Sequence, residues 1–151
     1  MSKTLPLILF FIFVAGASKG VSDTLQFHYS RSIFASSQNQ QWWNPEVSWK
    51  NKYRDYDNGD TREAYLFSRS LLVWRTDAWH LAQTIETLGW IFALLLAIRL
   101  GQMQGVSAPG RVGAAYKQRS VRAASWLGLC MLMLAAFYGG FMLLWAWLLV
   151  G

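Results

Sequence analysis

Three stretches of the chain are largely apolar; a polar, aromatic-rich segment separates the first two and a basic one the last two. The first, Leu5 to Ala17, follows Lys3 and contains no charged residue. At thirteen residues it is short for a span, because a helix rises about 1.5 Å per residue and the hydrocarbon layer is about 30 Å thick. Val14, Ser18, Val21, Leu25, His28 and Ser32 continue a three-four spacing past its end, which predicts one long helix reaching to about Phe34. Ala15-Gly16-Ala17 also fits a small-x-small cleavage pattern, so the segment is read either as a retained first span, which we favour, or as a signal peptide. The second stretch, Thr76 to Leu100, begins with two good N-cap residues, Thr76 and Asp77, and becomes greasy from Leu88 onward. The third, Trp126 to Val150, carries no charge and is also long enough to span.

Between these spans the pattern breaks. Ala35 to Asp60 reads as loop, with a turn at Asn44-Pro45 and a cluster of Trp42, Trp43, Trp49, Lys50 and Lys52 suited to the headgroup layer. Asn58-Gly59 predicts a turn. Asp60 and Glu63 then resemble a capping box, and Ala64, Phe67, Leu71 and Leu72 give one apolar face, so a short interfacial helix is expected from there to about Trp74. Asp55, Asp57 and Asp60 do not match a calcium loop, since Gly59 falls fifth instead of sixth and position twelve is Leu66. The expected class is therefore all-α: a small helical integral membrane protein with three transmembrane helices, the first retained or cleaved, plus an interfacial helix. It forms one membrane domain over residues 1–151. Its parts are 1–34 (first helix and extension), 35–75 (Trp-rich segment), 76–100 (second span), 101–125 (basic loop) and 126–150 (last span).

Composition supports a membrane setting. The chain is 54% hydrophobic and only 15% charged, against a soluble norm of about 25% charged. Nine tryptophans in 151 residues are a large excess, and Trp favours the membrane–water interface. The net charge of +6 would suit a nucleic-acid partner only if it were spread over a binding face. Instead, Arg99 to Arg122 holds five basic residues and no acidic one, whereas Lys19 to Asp77 holds eight basic and seven acidic. That asymmetry is the positive-inside signature and excludes nucleic acid as the expected partner. It puts Lys3 and the 101–125 loop in the cytoplasm and residues 20–76 on the other side. The expected partners are the lipid bilayer and another membrane protein docked on the last helix, where Ala135/Gly139 and Ala136/Gly140 form small-xxx-small pairs. The single cysteine, Cys130, lies in an apolar run and is expected to be a buried, inert thiol.

Candidate chemistry is sparse. There is no HExxH, GxSxG, CxxC or phosphate-binding loop. Two histidines, His28 and His80, fall near the same membrane boundary, and Asp77 and His80, three apart, share a helix face with Thr84 one turn on. The simplest reading is that Asp77 caps its helix, His80 bonds Asp77 or a carbonyl, and His28 is a surface imidazole. The sharper reading is a divalent transition metal (zinc, iron or manganese) held by His28, Asp77 and His80 with an open position. Two further readings are haem b with His28 and His80 as axial ligands, and a proton relay through the Asp–His pair. Function then divides between a metal-dependent membrane enzyme acting on a lipid or lipid-linked substrate and a non-catalytic subunit or scaffold.

The phrases DTLQFHYSRSIF (23–34), WWNPEVSWKNKY (42–53) and TDAWHLAQ (76–83) together resemble a family of small, uncharacterised bacterial integral membrane proteins. The resemblance covers roughly the first half of the chain. It implies a bacterial inner-membrane setting and a shared site near His28 and His80, and it lends no catalytic residues.

Overall fold

The computed structural model describes the backbone of residues 4–58, 60–105 and 112–149, and the side chains of 4–58, 60–100 and 126–148. Three long helices dominate: α1 (Thr4–Phe27), α4 (Ala78–Gly105) and α5 (Val112–Leu149). Between the first two lie two single-turn helices, α2 (Gln40–Trp43) and α3 (Pro45–Ser48), and a small hairpin of β1 (Tyr53–Asp55) and β2 (Asp60–Ala64). The all-α class is borne out, with three helices long and apolar enough to cross a membrane at Thr4–Phe27, Ala78–Leu100 and Trp126–Leu148.

The first helix is the centre of the bundle. It packs along both α4 and α5, which touch each other far less. Ile8, Ile12, Ala15, Thr24 and Leu25 on α1 are completely buried. Its register against the neighbours fixes the topology. Leu25 meets Ala78 and Leu148 at one end, while Ile8 and Ile12 meet Ala93 toward the other. Thus α1 and α5 run parallel and α4 runs antiparallel to both, as three successive crossings require.

Close backbone approach makes this packing possible. A Cβ added to Gly16 would lie 2.0 Å from the Phe137 carbonyl oxygen, and one added to Gly140 would lie 2.2 Å from that of Phe13. Gly16 and Gly20 are four residues apart on α1 and both face α5, a small-xxx-small stripe of the kind that lets spanning helices pack by van der Waals contact. The two pairs on α5 divide. Ala136 and Gly140 pack against α1, whereas Ala135 is exposed and Gly139 faces open space. On α4 the face toward α1 carries Ala78, Ala82, Gly89 and Ala93, all buried. Glu86 interrupts that stripe, and the α1 ion pair Lys19–Asp23 lies close enough to act on its charge.

Four expectations are corrected. The first helix ends at Phe27, and residues 28–36 form two 3₁₀ turns. There the Ser32 and Ser36 hydroxyls bond backbone carbonyls three residues back, competing with a helical ladder, and Phe34 folds onto the core to stack on Trp43 at 4.4 Å. The interfacial helix expected over Asp60 to Trp74 is absent. Asp60 starts β2, paired antiparallel with β1, and its carboxylate accepts from the Arg62 N–H at 2.8 Å instead of capping a helix. Phe67, at φ 58°, then takes a left-handed turn that a helix could not include. The last span is part of one helix that already begins at Val112, inside the stretch read as a loop. Cys130 is exposed on the outer face of α5, not buried. Pro109-Gly110 lies outside the described residues.

Candidate boundary site

The residues with most chemical potential gather where the C-terminal ends of α1 and α5 meet the start of α4. Asp77 is the N-cap of α4, and its Oδ1 accepts the His80 backbone N–H at 2.9 Å, satisfying a donor that the first helical turn leaves without a partner. The same carboxylate lies 2.8 and 2.7 Å from His80 Nδ1 and accepts the Thr76 hydroxyl at 2.8 Å. Asp77 is only 2% exposed. Burial would raise its pKa, but the bonds from the His80 ring, the His80 N–H and Thr76, with the attraction of His80, outweigh burial and hold it below its ordinary value of 3.8. Its position at a helix N-terminus favours the anion as well.

The other side of the imidazole faces Lys52, whose Nζ lies 3.3 Å from His80 Nε2. The two partners fix the tautomer. A carboxylate only accepts, so Nδ1 carries the proton; an ammonium only donates, so Nε2 presents its lone pair. His80 is thereby oriented, with Nε2 turned toward Lys52. Lys52 is brought there by the turn over 49–52, which Asn51 ties to the start of α4 by donating to the carbonyls of Thr76 at 2.8 Å and Gln41 at 2.7 Å. Asn44 starts this region by accepting the Glu46 N–H at 3.0 Å, with Pro45 at the first position of α3.

His80 and Asp77 line a cavity of about 250 Å³ together with Gln26, Ser48, Trp49 and Trp79. Trp79 stands edge-on to His80, with ring centroids 4.7 Å apart. Among the described residues, its indole N–H is the one buried side-chain polar atom without a hydrogen-bond partner. An unsatisfied buried donor costs about 1–3 kcal/mol.

The structure brings two of the three sequence-predicted site residues together. Asp77 and His80 meet, and Thr84 continues their stripe by donating to the His80 carbonyl at 2.8 Å. His28 does not join them: its ring packs edge-on against Trp145 of α5 at 5.7 Å. Among the described residues no three of His, Cys, Asp and Glu gather as a metal-ligating group. As arranged here, His80 Nδ1 is taken by Asp77 and Nε2 faces the Lys52 ammonium. A haem ligated through His80 Nε2 would have to displace the same ammonium. Lys52 is the residue that sequence reasoning missed. Its sequence context is that of a headgroup-layer cation, and nothing local ties it to a histidine 28 positions away.

No family model, curated protein or solved structure matches this chain. The two phrases WWNPEVSWKNKY and TDAWHLAQ meet in space, since Lys52 and Asn51 of the first hold His80 and Thr76 of the second.

Proposed function

We propose that this is a multi-pass bacterial inner-membrane protein, with the basic Arg99–Arg122 stretch cytoplasmic and the Asp77–His80–Lys52 site at the opposite boundary. There it binds the polar head of a membrane amphiphile and exchanges a proton with it. The observation that carries this reading is the imidazole pinned between a buried carboxylate and an ammonium at the wall of a cavity level with the helix ends. The groups are complementary to a head such as a phosphate monoester, whose second pKa is near 6. Its O–H gives a proton to Nε2, Lys52 turns its ammonium to the resulting anion, and Asp77 stabilises the imidazolium. The likeness to small bacterial membrane proteins and the positive-inside rule support the setting.

The test is native mass spectrometry of detergent-purified protein titrated with a monoacyl glycerophosphate, against the choline ester of the same lipid. One equivalent of the phosphate monoester is expected to bind. His80→Gln and Lys52→Met should each weaken it about tenfold or more, the worth of one charge-assisted hydrogen bond. Variants that bind as tightly as wild type would contradict the assignment. A second reading, a subunit docking another membrane protein, is favoured by the Ala135/Gly139 face, which no described residue covers. Substituting leucine at Gly139 should then release a co-purifying partner.

A further inference from the structure

A second cavity in the described bundle lies at the other end from His80. It has a volume of about 560 Å³ and opens where α1, α4 and α5 diverge, with Leu5, Leu100, Trp126, Gly128, Met131 and Leu132 on its walls. Every one of these side chains is apolar apart from the indole N–H, and each belongs to a helix long enough to span. Gly128 opens the groove: a Cβ there would meet nothing within 4 Å. The volume falls within the usual range of small-ligand sites, about 300–1,000 Å³.

Charge at the rim decides among apolar occupants. Arg99, exposed and next in sequence to the lining residue Leu100, stands at this end of α4. It begins the run of five basic residues to Arg122, and no acidic residue occurs anywhere after Glu86. A partner helix would bring its own polar ends to an all-apolar slot, and a zwitterionic lipid would gain nothing from Arg99 and the basic residues that follow it in sequence. Basic pockets between spanning helices suit anionic lipid heads, at about 1 kcal/mol per Lys or Arg near the surface. We infer that this groove is a binding site for an anionic phospholipid, with one acyl chain between α4 and α5 and its phosphate facing Arg99. The inference is independent of the His80 site, which lies at the other end of the bundle.

The experiment is native mass spectrometry of the full chain released from nanodiscs made with equal phosphatidylglycerol and phosphatidylcholine of the same acyl composition. Wild type should retain phosphatidylglycerol in preference. Gly128→Leu, which fills the groove from a position with free space around it, should lose the retained lipid. Arg99→Gln should keep a retained lipid but lower the preference about fivefold, the worth of one basic residue near the surface. Equal retention of the two lipids by wild type, or undiminished retention by Gly128→Leu, overturns the proposal. Far-ultraviolet circular dichroism equal to wild type shows that either variant has folded.

Discussion

Two adjacent glycines on α5 give a controlled test of the bundle. At Gly140 an added Cβ would sit 2.2 Å from the Phe13 carbonyl oxygen and 3.0 Å from the Ala17 nitrogen. Ordinary contact begins at 3.4 Å, so α1 and α5 would have to part by about 1.2 Å (3.4 less 2.2). Both obstructing atoms are backbone inside a helix, so no rotamer change relieves the clash. Overpacking of this kind costs about 1–3 kcal/mol. At Gly139 the added methyl meets nothing within 4 Å. Each substitution also gains helix propensity, about 0.8–1.0 kcal/mol for alanine over glycine. That gain is common to both, so the difference between Gly140→Ala and Gly139→Ala isolates the overpacking. Gly140→Ala is expected to be the less stable by about 1–3 kcal/mol. Reversible unfolding in mixed micelles of rising dodecyl sulfate content, followed by tryptophan fluorescence, measures it. Equal stabilities, or Gly139→Ala the weaker, would refute the placement of Gly140 against α1.

Two other outcomes follow from the same geometry. Because the Asp77 carboxyl is held below its ordinary value, its contribution to stability is present above about pH 3.8 and is lost as pH falls through the lowered value. The stability difference between wild type and Asp77→Asn should therefore be constant near neutrality and shrink below pH 4, read by the same unfolding assay in a pH series. Cys130 points outward from α5 within an apolar span, away from water and from a charged reagent. A membrane-impermeant maleimide should leave it unlabelled in intact membranes and label it after full denaturation. Labelling in intact membranes would place this face in water.

The spans were legible because a helix must carry about 20 apolar residues to cross a bilayer, and composition alone shows that. The cap at Asp77 and its bond to His80 were legible too, since both follow from local spacing on one helix. What the sequence hid was non-local. That α1, the shortest apolar run, is the central helix depends on Gly16 and Gly20 meeting Phe137 and Phe141 across the bundle. The helix expected after Asp60 gave way to a hairpin, because the pairing of Tyr53 with Ala64 competes with a capping signal that looks the same in either case. Lys52 reaches His80 only after the turn over 49–52 is tied to the start of α4 through Asn51. The placing of His28 beside Trp145 depends on the first helix stopping at Phe27 instead of continuing.

The state of the His80 ring is the point on which the site reading turns, and it is directly observable. The chain has two histidines, so a protein labelled with nitrogen-15 histidine gives two imidazole spin systems, and His28→Gln leaves His80 alone. In the neutral ring the nitrogen shifts of His80 should show the proton on Nδ1 and a bare Nε2, with Nε2 perturbed by Lys52→Met. A neutral ring protonated on Nε2 would contradict the account.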